Sequence, residues 1–380
     1  MSALATGLSW LLLLLAWAAI GYTIAATIAV RRFARARQPA RAPSEPVTLL
    51  KPLHGLEPCL RDNLSSFLDQ DWPSKIQLIA GSNLADDPAP ALARALSPNI
   101  VTIAGAPGVG GNAKVANLAN MVTAADHDLL ILSDSDIAVP PDYVSRVAAA
   151  LAEPGVGAVT CIYRGRGDAG GWSRFAAAGI SYQFAPSVVL SFALRASQAC
   201  MGSTIAIRRS TLRRIGGFEA FANVLADDYA MGAAVRALGM KVVPVPGLLV
   251  AHGFAETGFA NIWRHEVRWA TTVRGVNLAG HFGSVLTHPL PLSLLACAMA
   301  PDSGAVAATG ALLARLILAS SMDRWAAAKT SPLWWLPARD LLSFAVFIAS
   351  FAARSVDWRG ARLRIDGRGR VTAEPEIRRR

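Results

Sequence analysis

Cysteine is scarce in this sequence, and repeats are absent from it. The 380 residues include four cysteines, which are dispersed and show no metal-ligand spacing: Cys59, Cys161, Cys200 and Cys297. In a domain on the cytoplasmic side of a membrane we expect reduced thiols, which excludes a disulfide framework. No internal repeat or low-complexity segment occurs, which excludes a repeat array.

Charge is missing from the first thirty residues. No charged side chain occurs from Met1 to Val30, and the apolar centre reads "LSWLLLLLAWAAIGYTIAATIAV". About 20 such residues are enough to span a bilayer. A cleaved signal peptide would need a basic start, a shorter apolar core and a cleavage site. Residues 1–30 are therefore predicted to be an uncleaved anchor, with the next segment cytoplasmic by the positive-inside rule.

Acidic residues are outnumbered by basic ones, 26 to 37, which gives a net charge of +11. The excess lies in two segments. A basic linker, residues 31–46, holds five Arg and one Glu, and a basic tail, residues 354–380, holds nine Arg against four acids. Basic segments beside membrane helices suit the anionic lipids of a bilayer. We therefore predict a lipid bilayer as a partner and no nucleic acid.

Residues 47–280 alternate short apolar runs with helical patterns. The runs typical of strands are "VTLLKPL", "IQLIAGS", "IVTIAG", "DLLILS" and "VGAVTCIY". Strands that alternate with helices indicate βαβ units. The pattern predicts a cytoplasmic α/β domain with a mostly parallel sheet and helices on both faces.

Residues 281–353 are predicted to form membrane or interfacial helices. Three apolar stretches occur there: Val285–Ala300, Gly304–Ala319 and Leu333–Ala353. The third contains Arg339 and Asp340, which are costly to bury in lipid. We expect two crossings plus one helix at the interface, with both ends of the region in the cytoplasm.

The stretch "LLILSDSDIAVPPDY" places two carboxylates, Asp134 and Asp136, directly after an apolar strand. In open α/β sheets, ligands bind beyond the carboxyl ends of the strands. Two carboxylates aimed at one cation together with diphosphate oxygens are a ligand set for Mg²⁺ or Mn²⁺. The alternative is a polar turn with Asp as a helix N-cap.

The loop "GAPGVGGNAK" at 105–114 favours a rival hypothesis. Gly108, Gly110 and Ala113 match the dinucleotide fingerprint, and Asp134 follows about 20 residues later. This would make the protein a dinucleotide-dependent oxidoreductase. The alternative is a flexible loop that leads into a helix.

Two further acidic pairs have a functional and a structural interpretation. Asp86 and Asp87 follow a strand and precede a proline, so they are either an ordinary turn or contacts to the base or ribose of a nucleotide. Asp227 and Asp228 open a helix, where acids interact favourably with the helix dipole. Adjacent carboxylates also raise one pKa, which suits a general base, and we assign that role to Asp228 with Asp227 supporting it.

The segment "WRHEVRWATTVRG" carries His265, Arg268 and Trp269 on one amphipathic helix. Arg268 would neutralise a departing diphosphate, and Trp269 would form an apolar wall for a sugar or an acceptor. The alternative is a juxtamembrane helix with Arg and Trp at the bilayer interface.

Taken in order, these motifs resemble membrane glycosyltransferases of the ceramide glucosyltransferase type. That family has two upstream aspartate sites, a third aspartate and a Q/R-x-x-R-W motif. Here "ADDP" (Asp87), "SDSD" (Asp134), "ADDY" (Asp228) and "HEVRW" (265–269) match them. The resemblance extends to "LLKPLHG", "NAKVANL" and "VDWRGARLRI", so it covers about residues 47–366. His265 departs from the family's Gln or Arg.

The resemblance implies a GT-A-like domain and an inverting transfer of a sugar, with UDP-glucose as the first donor expected, to the hydroxyl of a membrane lipid such as ceramide. Asp134 and Asp136 would hold a metal-diphosphate and Asp87 the uridine, while Lys114 and Asn117 would contact the nucleotide or diphosphate. Arg268 and Trp269 would close the site. The protein would be a multi-pass protein of the inner membrane with its catalytic domain facing the cytoplasm.

Other functions remain open at this point. "HEVRW" with "THPLP" at 287–291 is similar to the bacterial branch that glycosylates hopanoids, for which the donor would be UDP-N-acetylglucosamine. A processive polysaccharide synthase would share the aspartates but needs more membrane helices. A non-catalytic membrane adaptor is the other alternative. The apolar segment 181–204 is either an acceptor-side surface or packed core, and the oligomeric state stays open.

Overall fold

The computed structural model describes residues 3–38, 44–106, 108, 110–196, 198–353, 355–358, 361–365 and 371–373. The chain forms two compact units. A sheet unit comprises Ala36–Tyr163, Arg195–Ala255 and Gly369–Arg380. A helical unit comprises Met1–Arg35, Arg164–Leu194 and Glu256–Arg368. We describe each unit by itself.

The sheet unit is built on eight strands. Their bounds are β1 Val47–Pro52, β2 Ile76–Ser82, β3 Val101–Ala104, β4 Leu129–Leu132, β5 Ile137–Ala138, β6 Val156–Gly167, β7 Ile205–Arg208 and β8 Lys241–Phe254. Their order in the sheet is β3-β2-β1-β4-β7-β6-β8-β5. The five strands predicted from sequence are all present.

The sheet is mixed, which corrects the expectation of a mostly parallel one. Strand β1 pairs in parallel with β2 and β4, and β2 with β3. The pairs β4–β7, β6–β7 and β5–β8 are antiparallel. The sequence expectation counted only the βαβ half, because β7 and β8 do not follow the same strand-helix alternation.

Helices cover both faces of the sheet, as predicted. Leu49, Leu129 and Ile131 contribute to one hydrophobic cluster, while their neighbours Leu50 and Leu130 contribute to another. Alternate residues of a strand point to opposite faces, so both faces are buried. The helices of this unit span Leu60–Leu68, Pro88–Leu96, Ala113–Val122, Tyr143–Leu151, Arg209–Arg214 and Asp227–Ala237, with a 3₁₀ turn at Glu219–Phe221.

The helical unit contains long apolar helices. Its α-helices span Ala3–Ala34, Gly171–Gly179, Ala185–Ala193, Phe259–Val276, Leu278–Gly283, Pro289–Met299, Pro301–Ala326 and Leu336–Ala352. A π-helical turn, Ile180–Phe184, joins the second and third, and 3₁₀ turns occupy Ser284–Thr287 and Leu333–Trp335. Strands Ser355–Trp358 and Ala361–Ile365 pair antiparallel. A further short strand, Val371–Ala373, falls in the range of the sheet unit.

Four helical segments in the described part of the chain are long and apolar enough to cross a membrane: Leu4–Ala34, Gly171–Ala193, Pro301–Ala326 and Leu333–Ala352. A bent pair, Leu278–Thr287 with Pro289–Met299, would make a fifth span. Membrane association is therefore supported. Sequence analysis anticipated all of these segments except Gly171–Ala193, which carries polar residues and lies inside the region assigned to the catalytic domain. The proposed domain boundaries stay a prediction.

Arg339 and Asp340 are buried in the last long helix because each has a partner of opposite charge. Arg315 binds Asp340 through two nitrogens at 2.8 and 2.6 Å, and Arg339 binds Glu266 at 2.8 Å. Pairing removes much of the cost that the sequence expectation assigned to these charges. Most of the predicted basic tail, and residues 39–43 of the basic linker, lie outside the described residues.

Candidate active site

The turn after β4 holds the first two predicted acids. Asp134 and Asp136 lie between β4 and β5, and three bonds hold the backbone of this turn. Asn63 donates to the carbonyl oxygen of Ser135 at 3.1 Å, and the backbone N–H of Gly253 donates to that of Asp136 at 2.8 Å. Lys51 donates to the carbonyl oxygen of Asp134. The acids therefore sit on a turn tied to β1, β8 and the helix Leu60–Leu68.

Lys114 brings the turn together with the third acidic site. Its Nζ lies 2.6 Å from Oδ1 of Asp134 and 3.9 Å from Oδ2 of Asp227. Asn112 caps the helix that carries Lys114, accepting from the N–H groups of residues 114 and 115 at 3.1 Å. The same Asn112 donates to Oδ1 of Asp227 at 3.2 Å. One capping residue thus joins the lysine helix to the acid pair.

Gly202 lies between these groups. Its N–H donates to Oδ2 of Asp228 at 2.9 Å. A Cβ at this position would lie 2.8 Å from Oδ2 of Asp134 and 3.0 Å from Nζ of Lys114. The close approach of backbone to three charged side chains therefore requires glycine. Asp134, Asp227, Asp228 and Lys114 form one cluster, which we call the acid cluster.

Asp136 has a different partner within the sheet unit. Its Oδ2 lies 2.9 Å from Nε2 of His252 on β8. The ring of Tyr163 packs edge-on against that imidazole, with centroids 5.2 Å apart. His252 thus holds one oxygen of Asp136 and leaves the other available to a ligand.

Lys51 is a fully buried cation below the turn. Besides its bond to Asp134, its ammonium lies 3.8 Å above the ring of Phe67 and 3.5 Å from the hydroxyl of Ser133. Burial lowers the pKa of Lys51 to about 7, against the opposing effect of Asp136 and Asp134. Burying a charged lysine in an apolar strand costs free energy unless its charge has partners. For Lys51 these partners belong to the acidic turn.

The acids have unequal proton affinities. Burial and the neighbouring Asp227 raise the pKa of Asp228 to about 6, although Lys114 opposes this. Burial raises the pKa of Asp134 as well, against Lys114. For Asp136 burial acts in the same direction, but His252 together with Lys51 and Lys114 outweighs it, and the pKa is lowered. The carboxyl of Asp228 therefore has a pKa suited to proton transfer, and that of Asp136 stays ionised.

Lys114 stays protonated in this environment. Burial acts to lower its pKa, yet the carboxylates of Asp134, Asp227 and Asp228 together raise it above the ordinary value. The acid cluster thus contains a permanent positive charge beside three carboxylates.

Asp87 and Asn117 lie elsewhere in the sheet unit and make structural bonds. Asp87 caps the helix Pro88–Leu96 through Ala89 at 2.9 Å, accepts from Ser82 at 2.6 Å and from the N–H of Gly55 at 3.0 Å. Burial acts to raise the pKa of Asp87, but these bonds lower it. Asn117 donates to the carbonyl oxygen of Gly81 at 2.6 Å. Asp86 is exposed beside Asp87. The nucleotide contacts predicted for these residues stay predictions.

The helical unit carries the R-W motif on the helix Phe259–Val276. His265 bonds through Nδ1 to Glu256, and its ring meets that of Trp269 edge-on with centroids 4.5 Å apart. Arg268 lies on the same helix and is half-buried. The position where this chain departs from the Q/R pattern is therefore occupied by an imidazole held between a carboxylate and the motif tryptophan.

Comparison with known proteins decides the class of the chain. The model of glycosyl transferase family 21 matches residues 11–371. This chain belongs to glycosyl transferase family 21. The match spans both units and confirms the resemblance seen in the sequence. Membership of a glycosyltransferase family decides against the dinucleotide-dependent oxidoreductase, and the described glycines of that loop lead into the helix capped by Asn112.

Individual relatives of this family 21 glycosyltransferase have low sequence identity to it. Ceramide glucosyltransferase 1 of Caenorhabditis elegans is 29% identical over 203 residues, which are 51% of this chain and 43% of that protein. The chain therefore covers less than half of the length of this relative.

Solved structures support the fold. The mannosyltransferase PcManGT from Pyrobaculum calidifontis, in complex with GDP-Man and Mn²⁺, has a TM-score of 0.52 at 18% identity and covers 90% of this chain and 99% of its own. GalNAc-T7 with UDP, GalNAc and Mn²⁺ has a TM-score of 0.41 at 12% identity, over 56% of this chain and 44% of its own. The first of these likenesses confirms a GT-A-like α/β fold.

The acidic residues of the family 21 enzyme suit a divalent cation in part. Buried carboxylate oxygens of Asp136 (Oδ1) and Asp227 (Oδ2) have no hydrogen-bond partner among the residues that the structure describes. Oxygen donors of this kind suit hard cations. No group of three or more His, Cys, Asp or Glu in the described ranges forms a complete metal site. The residues fit a cation whose remaining ligands come from a bound diphosphate.

Sequence analysis missed four residues of this site: Lys51, Asn112, Gly202 and His252. Three of them carried a signal. Lys51 interrupts the apolar strand "VTLLKPL", and His252 interrupts "LLVAHGF". Asn112 stands before a predicted helix, where a cap is expected. Gly202 had no signal, because its role depends on side chains about 70 and 90 residues earlier.

Proposed function

We propose that this protein transfers a sugar from a UDP-sugar, with UDP-glucose the first candidate, to the hydroxyl of a membrane lipid such as ceramide, inverting the anomeric centre. One observation carries the proposal. The acid cluster combines ionised carboxylates, a permanent ammonium and one carboxyl whose pKa is raised to about 6. Sugar transfer needs this combination, because a diphosphate must be held while a hydroxyl proton is removed.

The base in this proposal is Asp228. The lipid hydroxyl oxygen attacks the anomeric carbon of the sugar, its proton passes to the Asp228 carboxylate, and the bond from the anomeric carbon to the diphosphate oxygen breaks. UDP leaves with the bonding electrons. A single displacement inverts the anomeric centre and requires no covalent sugar–enzyme intermediate. The bond from Gly202 to Oδ2 of Asp228 orients the carboxylate for this task, and Asp227 supports it by raising its pKa.

The donor would be held by the turn after β4. Asp134 and Asp136 would bind Mg²⁺ or Mn²⁺ together with the diphosphate, and that ion would neutralise charge on the leaving group. Lys114 would contact the diphosphate directly, since its ammonium already lies among the carboxylates. Asp86, Asp87 and Asn117 would line the nucleoside side.

The R-W motif would act on the leaving group and the acceptor. Arg268 would stabilise the departing diphosphate, and Trp269, positioned by His265, would form an apolar wall. The apolar helices would place the protein in the inner membrane as a multi-pass protein, with the basic residues after the first helix holding the catalytic domain on the cytoplasmic side.

A second candidate uses the same chemistry on a hopanoid with UDP-N-acetylglucosamine. His265 in place of Gln or Arg, together with the segment 287–291, favours it. The acid cluster serves both candidates, so the difference between them lies in the donor's sugar and in the lipid.

The test is the mass of the product. Detergent-solubilised protein is incubated with UDP-sugars, ceramide or hopanoid acceptors, and Mg²⁺ or Mn²⁺. A lipid heavier by one hexose or one N-acetylhexosamine, absent with EDTA, is the expected result. Asp134→Asn should abolish it. Asp128→Asn is the matched control, because Asp128 lies at the opposite end of β4 and is exposed. An elongating polymer, or no new lipid from folded protein, would overturn the proposal.

A further inference from the structure

The helical unit contains a small cavity lined by polar side chains. Six of its lining residues are polar: Tyr22, Thr23, Gln183, Ser187, Thr287 and Arg315. They come from the first long helix, the segment Gly171–Ala193, the turn Ser284–Thr287 and the helix Pro301–Ala326. Its enclosed part is about 10 Å³, which is room for one hydroxyl group or one water molecule. Polar groups among helices of membrane-spanning length are costly and mark substrate sites.

The helix Gly171–Ala193 changes geometry at the cavity. The π-helical turn Ile180–Phe184 lies in its middle, and such turns occur frequently at functional sites. Gln183 on this turn donates to the hydroxyl of Thr287 at 2.9 Å and lies 3.2 Å from Nδ1 of His288. The amide is therefore oriented by two partners at the cavity wall.

The charge at the cavity is balanced. Arg315 binds Asp340 through two nitrogens, and a third donates to the carbonyl oxygen of Tyr182 at 2.5 Å. The other polar lining groups are hydroxyls and an amide. A wall of this kind favours a neutral group that donates and accepts hydrogen bonds, and it offers no free positive charge to a phosphate.

A second polar group, the guanidinium of Arg339 on the helix Leu336–Ala352, packs against the same segment at Gly179, four residues before Gln183. A Cβ at Gly179 would lie 2.1 Å from Nη2 of Arg339, so glycine is what admits this guanidinium. Arg339 is buried and binds Glu266 at 2.8 Å. Its Nε and Nη1 have no hydrogen-bond partner in the described part of the chain. These two buried nitrogens of Arg339 can therefore donate to an acceptor oxygen near the helix that lines the cavity.

We propose that this cavity is a subsite for the polar headgroup of a neutral lipid, one that carries hydroxyl groups with or without an amide. The inference rests on the proposed lipid-directed transfer and names the part of the chain that recognises the acceptor. Thr23, Gln183 and Ser187 bond one headgroup oxygen, and Arg339 bonds another.

Two matched double variants test the subsite. Thr23→Val/Ser187→Ala removes two hydroxyls from the cavity wall. Thr27→Val/Ser191→Ala removes two hydroxyls one turn farther along the same helices. The bonds lost within the helices are closely similar, because Thr23 and Thr27 both donate to the carbonyl oxygen four residues earlier at 2.9 Å. Ser187 and Ser191 also both bond within their own helix.

Acceptor KM should rise about tenfold in the cavity variant, since two neutral hydrogen bonds are lost. Donor KM should stay unchanged, and the control variant should behave as wild type. The acceptor KM is measured separately for ceramide and for a hopanoid polyol. The comparison shows whether the subsite recognises an amide in addition to hydroxyls. An equal acceptor KM in the two variants would overturn the subsite.

A second readout separates this inference from the proposed function. Each variant is irradiated with a ceramide analogue that carries a diazirine in its headgroup, and labelled peptides are identified by mass spectrometry. Labelling of residues 179–190 that weakens in the cavity variant supports the subsite even if no lipid is glycosylated. Equal labelling in both variants shows that the cavity holds water alone and overturns it.

Discussion

The Arg315–Asp340 pair of the helical unit and the acid cluster of the sheet unit bury charge in opposite ways. In the helical unit, Arg315 faces Asp340 and each is about 3–4% exposed, so one cation meets one carboxylate through two bonds. In the sheet unit, Lys114 meets Asp134 and Asp227, and Asp228 lies beside them. Two carboxylate oxygens of the described sheet unit, on Asp136 and Asp227, accept no hydrogen bond.

The contrast separates structural charges from functional ones. In a matched, bidentate pair the charged atoms already have their partners, so a ligand would form few new bonds there. Such a pair serves the packing and the conformational specificity of the helices. An acidic cluster with unsatisfied oxygens and a raised pKa retains binding capacity for a cation, a diphosphate and a proton. Family 21 membership fits this interpretation, because a glycosyltransferase has to bind a sugar donor close to the group that removes the acceptor proton.

The largest effect is expected at the base. Asp228→Asn should lower kcat about 10³-fold, because the amide cannot take the proton of the acceptor hydroxyl. Binding of UDP-sugar and metal, measured by calorimetry, should remain. Asp142→Asn is the control, since Asp142 lies directly before a helix and its side chain pairs with Arg146. Near-normal turnover by Asp228→Asn would contradict the assignment.

The matched pair should respond to single and double changes differently. Asp340→Leu leaves the buried Arg315 without its carboxylate and should lower the free energy of unfolding by about 3–5 kcal/mol. Arg315→Met/Asp340→Leu should recover most of that loss, because no unpaired charge remains. Thermal unfolding in detergent measures both. A double variant as unstable as the single one would show that the instability does not come from the unpaired charge of Arg315.

Lys51 lies between the two patterns, since it is as buried as the matched pair but serves the acidic turn. Lys51→Met should leave the unfolding temperature unchanged or raise it, because a buried charge is replaced by an apolar chain of similar length. UDP binding in the presence of Mn²⁺ should weaken about tenfold, since the turn loses its anchor. Loss of stability together with full UDP binding would place Lys51 among the structural charges.

The smallest effect is a pH dependence. With a pKa of about 6, the base Asp228 is ionised above pH 6 and becomes protonated as the pH falls below it. The value of kcat/KM should therefore fall about fivefold from pH 6 to pH 5, because the ionised fraction of Asp228 falls from about one half to about one tenth. Unfolding curves over the same range control for loss of structure. A profile that stays flat down to pH 5 would remove Asp228 from the role of base.

The sequence predicted the local parts of this structure well. Strands β1 to β4 and β6 follow apolar runs, and the acids Asp134 and Asp228 stand where strand-end and helix-start rules look for them. The antiparallel half of the sheet was not anticipated, because β7 pairs with β4 across more than 70 residues. Pairing between strands that are so far apart in the sequence leaves no periodic pattern of apolar residues.

Partners across long distances explain the other omissions. Arg339 and Asp340 suggested a helix at the membrane interface, and only the structure reveals Glu266 and Arg315 as their partners. Likewise, the segment 181–204 was interpreted as an acceptor-side surface or packed core, and the structure places its first part in Gly171–Ala193, a helical segment of membrane-spanning length. A polar residue in an apolar stretch cannot be interpreted until the residues that surround it are known.

The discontinuous sheet unit also has a consequence for the order of folding. Residues 47–132 contain β1 to β4, so the parallel half of the sheet can form as soon as this continuous segment has been synthesised. Strand β7 pairs with β4 and β6, yet it follows the helix Gly171–Ala193 in the chain. Completion of the sheet must therefore wait until that helix has left the ribosome. Synthesis of a helix long and apolar enough to cross a membrane therefore comes between synthesis of the parallel half of the sheet and its completion.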